Sequence, residues 1–287
     1  MLRQAALLVI GLSATAAQGQ GGYAAVNGLK MYYEARGSGQ PLVLLHGGLG
    51  SGDMFGPLLP ALSEGRRVLT VDLQAHGRTA DIDRPLRVEL LADDVAALIR
   101  QLGIGRADLL GYSLGGAVAL QTAIRYPQVV RRLVVVSTPF RRDGWYPEVL
   151  AGMSQVGAEA AEAMKQTPMY LQYSAVAPRP QDWPVLLAKI GEGLRQDYDW
   201  SAQVAALRLP VLIVAGDADA VRLTHLVEFF ALLGGGQRDA GWDGSGRPPA
   251  ELAILPGVTH YDIFARAELA AAALRFLDGP LPAGASR

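Results

Sequence analysis

The stretch Asp108-Leu109-Leu110-Gly111-Tyr112-Ser113-Leu114-Gly115-Gly116 decides the fold of this chain. It begins at the end of an apolar run and opens a segment with helical spacing that ends near Arg125. The five residues from Gly111 match the pattern G-x-S-x-G, and their setting predicts a strand, a tight turn and a helix. Ser113 is then held in a strained conformation with its hydroxyl exposed. The alternative is a serine that only caps an ordinary helix.

The turn is expected to need small residues at several positions. Side chains at Gly111, Gly115 and Gly116 are predicted to collide with neighbouring backbone, because the strand and the helix meet so closely. The pattern G-x-S-x-G alone is weak, since it arises by chance in many chains. Its place between an apolar run and a helical segment makes Ser113 the candidate nucleophile.

Apolar runs alternate with amphipathic segments on both sides of this turn. Runs typical of buried strands occupy residues 41–45, 67–72, 107–110, 133–137, 210–215 and 252–255. Helical spacing occupies residues 54–62, 88–102, 114–126 and 224–233, and a closing helix extends through Leu277. An N-terminal hairpin is predicted at the Asn27-Gly28 turn. The alternation predicts the α/β class, with a mostly parallel central sheet flanked by helices on both faces.

One segment interrupts this alternation. Residues 140–200 contain no strand-like run, and they combine aromatic residues and methionines with prolines and helix formers. We expect a helical cap there, inserted into a core made of residues 20–139 and 201–287. Some of its aromatic side chains are expected to fill the cap's own core. Residues 234–249 are rich in Gly, Asp and Arg, which predicts an exposed excursion.

The first residues match a secretory signal peptide, predicted over residues 1–19. Arg3 supplies a positive charge, residues 5–12 are almost wholly apolar, and Ala14-Thr15-Ala16 forms an A-x-A site. The alternative is a frayed or buried N-terminal helix. The apolar run is shorter than the roughly 20 residues of a membrane span. The chain has no cysteine, which argues against a lipid anchor attached to that residue. We therefore expect a periplasmic or secreted protein without a stable membrane anchor.

Composition limits the chemistry. The chain has 287 residues, a formal net charge of −1, no cysteine and four histidines. Balanced charge argues against a nucleic-acid partner, and the lack of cysteine removes disulfides and thiolate chemistry. The histidines lack metal-ligand spacing such as H-E-x-x-H. The sequence therefore predicts an enzyme without metal or cofactor that acts on a small molecule, and it leaves the oligomeric state open.

A serine nucleophile needs a base and an acid that orients the base. His260 follows the last predicted strand, at the carboxyl edge of the sheet, and is the candidate base. His46 and His76 are expected to brace loops by hydrogen bonding, and His225 to be a satisfied surface or packing residue. The order Ser, Asp, His is the one expected of this kind of fold.

Two aspartates compete for the acid role after the strand at residues 210–215. Asp217 is nearer the strand and is able to cap the turn, whereas Asp219 lies further into the loop and should reach His260 more easily. Asp262 is too close to His260 along the chain to be the first choice. Asp219 is therefore the candidate acid.

Negative charge on a tetrahedral intermediate needs hydrogen-bond donors, usually backbone N–H groups. One is expected from Leu114, at the start of the helix after Ser113. The other is expected from the glycine-rich loop at residues 46–50, at Gly48. A phosphate-binding loop is the alternative, but this loop has no lysine and matches neither G-x-G-x-x-G nor a P-loop.

Together these motifs resemble the α/β-hydrolase superfamily, near its esterase and cofactor-free haloperoxidase-like branch. The motifs that carry the resemblance are His46-Gly47-Gly48, Asp72-Leu-Gln-Ala-His-Gly77, Gly-Tyr-Ser113-Leu-Gly-Gly116, Gly-Asp-Ala-Asp219 and Gly-Val-Thr-His260. The resemblance implies that Asp219, the second aspartate of the family's G-D-x-D, is the acid, and that Gly48 holds the oxyanion position. Gln74-Ala75 departs from the family's frequent Arg-Gly, which puts a supporting interaction in doubt.

The resulting hypothesis is a serine carboxylesterase that forms an acyl-enzyme. Trp145 and Tyr146, just beyond the strand that ends at Ser137, are candidates for the substrate pocket. A lactonase, thioesterase, amidase or carbon–carbon bond hydrolase has the same triad and stays open. A non-catalytic ligand receptor on the same fold is the alternative from another class.

Overall fold

The computed structural model describes residues 19–280, so the predicted leader lies outside the described residues except for Gly19. Within that range eight strands form one sheet. The strands are β1 (Gln20–Val26), β2 (Leu29–Arg36), β3 (Gln40–Leu45), β4 (Arg66–Val71), β5 (Ala107–Tyr112), β6 (Val130–Val136), β7 (Val211–Ala218) and β8 (Ala250–Thr259). The α-helices are α1 (Leu59–Leu62), α2 (Val88–Gln101), α3 (Leu114–Arg125), α4 (Pro147–Ser154), α5 (Pro168–Val176), α6 (Trp183–Leu194), α7 (Ser201–Ala205), α8 (Leu223–Leu232) and α9 (Ala267–Asp278).

The sheet has the order β1-β2-β4-β3-β5-β6-β7-β8. The hairpin β1–β2 and the pair β2–β4 are antiparallel, and every pair from β4 to β8 is parallel. Asn27 and Gly28 turn the hairpin with φ of 47° and 80°, as a tight two-residue turn requires. The order reverses beside β3, and open α/β sheets bind ligands at the carboxyl ends of strands next to such a reversal.

Alternate residues of the strands supply two hydrophobic cores. Val43 and Leu45 of β3 belong to the core that includes α2 and α3, whereas Leu42 and Leu44 belong to the core that includes α1 and α9. All four side chains are fully buried. Both faces of the sheet are therefore covered, and the predicted α/β class with a mostly parallel sheet is confirmed.

The predicted helix over residues 54–62 is wrong in its extent. A 3₁₀ turn at Gly52–Phe55 is followed by the single turn α1. Pro57 and Pro60 explain the break, because proline has no N–H to donate and clashes with the preceding turn. Phe55 and Leu62 are nevertheless fully buried, so the apolar spacing predicts burial correctly.

Strands β7 and β8 are longer than the sequence predicts. They continue as a pair beyond Gly216, with an irregularity in register, until Ala218 lies opposite Thr259. Asp219 and His260 are the residues that directly follow the two strands. The extended pairing therefore delivers both side chains to the same place at the carboxyl edge of the sheet.

Between β6 and β7, residues 140–200 contain α4, α5, α6 and short 3₁₀ turns. Trp183 is 1% exposed and packs against the rings of Tyr170 and Tyr173, so part of the cap's aromatic content fills its own core. Lys189 of α6 joins this segment to the sheet domain through Asp81 Oδ2, at 2.6 Å. No helix in the described part of the chain is long and apolar enough to cross a membrane.

Candidate active site

Ser113 lies in the turn between β5 and α3. Its φ of 53° is in the left-handed region, which is rare for a residue with a side chain and costs conformational energy. The surrounding backbone holds it there: the Ser113 N–H donates to the Val136 carbonyl at 3.0 Å, and the Thr138 hydroxyl donates to the Ser113 carbonyl at 2.9 Å. The turn is therefore fixed from the neighbouring strand β6.

Close packing around this turn needs glycine. A Cβ atom on Gly111 would lie 2.1 Å from the Gly115 carbonyl oxygen, and one on Gly115 would lie 2.0 Å from the Leu45 carbonyl oxygen. The predicted collision with backbone is confirmed at these two positions. At Gly116 the closest atom is instead the side-chain oxygen of Thr138, at 2.0 Å.

Asp219 and His260 are brought together at the ends of β7 and β8. Asp219 Oδ1 lies 3.1 Å from His260 Nδ1, and both residues are 7% exposed. With Nδ1 directed at the carboxylate, Nε2 is the ring nitrogen left for a nucleophile. The hydroxyl of Tyr112, which precedes Ser113, donates to the His260 carbonyl at 2.8 Å and so ties the nucleophile turn to the histidine loop.

Asp219 remains ionised despite its burial. Desolvation raises the pKa of the carboxyl, but the hydrogen bond and charge of His260, with hydrogen bonds from Ser137 and the Val221 N–H, hold the pKa below its ordinary value. The Ser137 hydroxyl donates to Asp219 Oδ2 and the Gly216 N–H donates to the same oxygen at 3.2 Å. These donors also fix the direction in which Oδ1 faces His260.

The other candidate acids have different partners. Asp217 lies within β7, is exposed, and accepts a hydrogen bond from the Gly257 N–H at 2.8 Å. Asp262 accepts from the Thr259 N–H and hydroxyl, at 2.8 and 2.7 Å. Both carboxylates thus brace the strand ends and the histidine loop rather than the imidazole.

Two buried histidines brace the loops beside the site, as the sequence predicts. His46 Nδ1 donates to the Gly47 carbonyl at 2.7 Å, and Nε2 accepts from the Leu73 N–H at 3.0 Å. His76 Nδ1 lies 2.8 Å from the Gln74 carbonyl. Burial lowers the pKa of His46 to about 4 and that of His76 to about 3, so both rings are neutral at pH 7.

His225 packs inside the structure. Its ring stacks on Phe140 with centroids 4.1 Å apart, and its Nε2 accepts from the Phe140 N–H at 3.2 Å. Burial lowers its pKa to about 4. The predicted packing role is confirmed, and the ring is buried rather than on the surface. The expectation of a satisfied ring is wrong in part, because Nδ1 is buried without a hydrogen-bond partner among the described residues.

Gln74, where the family's frequent arginine is absent, has its own supporting contacts. It is buried, its side-chain nitrogen donates to Asp81 Oδ1 at 2.7 Å, and its oxygen accepts from Arg84 Nε at 2.6 Å. The next residue, Ala75, has φ of 65°, a conformation that a glycine adopts at lower cost.

The glycine-rich loop after β3 reaches the nucleophile turn. A Cβ atom on Gly47 would lie 3.4 Å from the Ser113 Cβ, and one on Gly48 would lie 3.8 Å from Ile190 of α6. This loop therefore lies between Ser113 and the cap. Leu114 begins α3, where N–H groups have no partner within the helix.

A cavity of about 390 Å³ opens beside His260. Val149 and Met153, four residues apart on α4, share the helix face that forms one wall. Trp145 and Tyr261 add aromatic walls. Ligand pockets typically measure about 300–1,000 Å³, so this cavity accommodates a small organic group.

The two predicted pocket residues lie differently. Trp145 lines the cavity, and its ring meets the His260 ring edge to face with centroids 5.4 Å apart. Tyr146 precedes α4 at its N-cap position, and its N–H donates to the Ala220 carbonyl at 3.2 Å. Tyr146 is not among the residues that line the cavity.

Ser137 is the residue in contact with the Asp219 carboxylate that the sequence does not predict. It is fully buried, has φ of 51°, and contacts Asp219 from the end of β6. One signal was present: β6 is the strand between the nucleophile strand and the acid strand, so the polar residue at its carboxyl end falls beside the triad.

Comparison with known proteins shows the family of this chain. The sequence profile of the alpha/beta hydrolase fold family matches residues 40–221, more than half of the chain. The chain therefore belongs to the α/β-hydrolase family, a family of hydrolase enzymes. The predicted family is confirmed.

Individual relatives include enzymes that cleave esters. Over 257 residues the chain is 31% identical to the pimeloyl-[acyl-carrier protein] methyl ester esterase of Neisseria meningitidis, covering 83% of this chain and 93% of that protein. Over 106 residues it is 40% identical to a sn-1-specific diacylglycerol lipase of Danio rerio, covering 36% of this chain and 33% of that protein. The crystal structure of E-2-(acetamidomethylene)succinate hydrolase has a TM-score of 0.71 at 24% identity, covering 91% of this chain and 100% of that one, which is a likeness of fold.

Proposed function

We propose that this protein is a serine hydrolase that cleaves carboxylic esters through an acyl-enzyme on Ser113. The observation that carries the proposal is the 3.1 Å contact between Asp219 and His260, at the sheet edge where β5 presents Ser113. A buried, ionised acid that orients a histidine next to a strained serine turn is the arrangement that activates a serine hydroxyl. The similarity to a methyl ester esterase favours esters among the acyl substrates.

In the proposed reaction His260 Nε2 takes the proton of the Ser113 hydroxyl while Oγ attacks the ester carbonyl. The tetrahedral oxyanion accepts hydrogen bonds from the N–H groups of Leu114 and Gly48. The intermediate collapses, His260 gives the proton to the leaving alcohol, and the acyl group stays on Ser113. Water activated by the same histidine then attacks the acyl-enzyme and releases the carboxylic acid. Asp219 stays ionised and stabilises the imidazolium that forms twice.

Other acyl substrates use the same intermediate. Thioesters and amides differ from esters in the leaving atom, and a lactone is an ester whose leaving hydroxyl stays attached to the acyl group, so the triad by itself does not separate them. A carbon–carbon bond hydrolase also remains compatible with the triad.

The test is labelling and turnover on purified protein. The wild type should react with a fluorophosphonate probe and hydrolyse short-chain esters faster than matched lactones, thioesters or amides. Ser113→Ala should lose the label and several orders of magnitude in turnover with the fold intact. A wild type that neither labels nor turns over any acyl substrate would favour a non-catalytic receptor instead.

A further inference from the structure

A solvent-exposed carboxylate borders the cavity beside His260, and the proposed reaction does not use it. Glu148 lines the cavity from the first turn of α4, on the helix face that includes Val149 and Gly152. Besides Glu148, two residues of the lining have an ionisable group, the imidazole of His260 and the phenol of Tyr261. A negative charge therefore borders the space available to a substrate.

The cations nearest to Glu148 along the chain have other partners. Arg141 pairs with Asp143 at 2.6 Å, and Arg142 lies 3.6 Å from Asp197. Among the ion pairs formed within residues 19–280, none includes Glu148. Its charge is thus available to a bound ligand.

Two aromatic rings accompany this carboxylate. The Trp145 and Tyr261 rings both line the cavity, and the centroid of each lies 5.4 Å from that of His260. Aromatic faces attract cations within about 6 Å, and alkylammonium groups above all. A carboxylate together with aromatic and aliphatic walls matches an organic cation, whose alkyl groups contact the rings while the carboxylate balances the charge.

We infer that the cavity selects esters with a positively charged alkylammonium group a few bonds from the scissile carbonyl, and that Glu148 determines this specificity. The inference rests on the proposed ester hydrolysis. It also means that substrates with a carboxylate in this position are repelled. The competing role for Glu148 is stabilisation of the α4 N-terminus, where an acidic side chain favours the helix dipole. That role has no dependence on substrate charge.

The test compares three butanoate esters: the choline ester, the isostere in which a tert-butyl group replaces the trimethylammonium group, and an ester of similar length that ends in a carboxylate. The wild type should show kcat/KM about fivefold higher for the cationic ester than for the neutral one, and lowest for the anionic ester. Added salt should shrink these ratios. Glu148→Gln should lower the preference for the cationic ester to the smaller one that the Trp145 and Tyr261 rings supply, and should bring the anionic ester close to the neutral one.

Glu192→Gln is the matched control, because Glu192 is exposed on α6 and does not line the cavity. It should keep the wild-type ratios. Equal loss on all three esters in Glu148→Gln would overturn the inference in favour of the helix-dipole role, and so would wild-type ratios near one, while Ser113-dependent turnover would leave the proposed function standing.

Binding keeps the two proposals separable. In Ser113→Ala, choline should raise the Tm more than the isosteric neutral alcohol does, and the difference should shrink in the Ser113→Ala, Glu148→Gln double variant, where only the aromatic rings still favour the cation. Equal shifts from both ligands would overturn the inference even if no ester is turned over. Absence of turnover by the wild type would overturn only the proposed reaction.

Discussion

The carboxyl ends of the strands and the cap contribute to the site in different ways. At the carboxyl ends of the strands, Ser113 is held by the Val136 carbonyl and the Thr138 hydroxyl. Asp219 is held there by backbone N–H groups and the Ser137 hydroxyl. The cap contributes walls instead: the face of α4 and the ring of Trp145 line the cavity. Fixed hydrogen bonds determine where protons move, whereas walls determine which groups fit. The difference indicates that reaction type and substrate preference can be changed separately.

The largest separation is expected between two aspartates two residues apart. Asp219→Asn should lower kcat about 10⁴-fold, because an amide no longer orients His260 or stabilises its cation. Asp217→Asn should act mainly through stability, since Asp217 contacts the Gly257 N–H. Steady-state kinetics and thermal unfolding of both variants test this, and the reverse order of losses would show that Asp217 is the acid.

Ser137 is expected to act through Asp219. Ser137→Ala removes a hydrogen bond to a carboxylate, which contributes about 1.5–3 kcal/mol, so kcat should fall on the order of tenfold with KM little changed. If Ser137 had only a structural role, Ser137→Ala would lower kcat by the same factor in the wild type and in Asp219→Asn. The decisive measurement is therefore a double-mutant cycle, in which Ser137→Ala should have almost no further effect on Asp219→Asn. Additive losses would contradict the positioning role.

The cap walls are expected to affect bulky substrates most. Trp145→Ala should lower kcat/KM for a bulky acyl ester about tenfold and for a small acetate ester much less, because the bulky ester loses binding energy at the removed wall. Tyr146→Ala should leave kcat/KM for both esters nearly unchanged, since Tyr146 lies outside the cavity lining. Equal losses on both esters in Trp145→Ala would make Trp145 a support for His260, not a wall.

The smallest effect on chemistry is expected where the cap joins the sheet domain. Lys189 Nζ donates to Asp81 Oδ2 and to the carbonyls of Ile82 and Arg84, at 2.6, 2.9 and 2.8 Å. Lys189→Met should lower the free energy of unfolding by about 1–3 kcal/mol and reduce turnover of bulky esters slightly. Lys165→Met, at an exposed cap ion pair with Glu162, is the control and should change neither quantity. Equal thermal shifts in both variants would contradict this docking role.

Local sequence patterns predict most of the backbone structure that carries Ser113. The strand, turn and helix around Ser113 and the Asn27-Gly28 hairpin depend on residues close in sequence, so their spacing is informative. Pro57 and Pro60 are a local signal for the break in residues 54–62, which the prediction from apolar spacing does not include. That spacing reports which side chains are buried, while proline determines whether the backbone is helical.

Contacts between distant residues are what the sequence leaves open. Ser137 and Asp219 are 82 residues apart, and their hydrogen bond follows from the neighbouring positions of β6 and β7. The choice of Asp219 over Asp217 likewise depends on the continued pairing of Ala218 with Thr259, which places one carboxylate inward and leaves the other in the strand. Trp145 and Tyr146 are adjacent and aromatic, so the sequence does not show that Trp145 lines the cavity and Tyr146 does not.

The most direct test of the central claim is to trap the acyl-enzyme. Wild-type protein is mixed with an activated p-nitrophenyl ester, quenched in acid within the first turnover, and analysed by intact mass and peptide mapping. We expect one acyl group per chain, on the peptide that contains Ser113, and none in Ser113→Ala. An acyl group on another residue, or release of one equivalent of p-nitrophenol without any acylated protein, would contradict nucleophilic catalysis by Ser113.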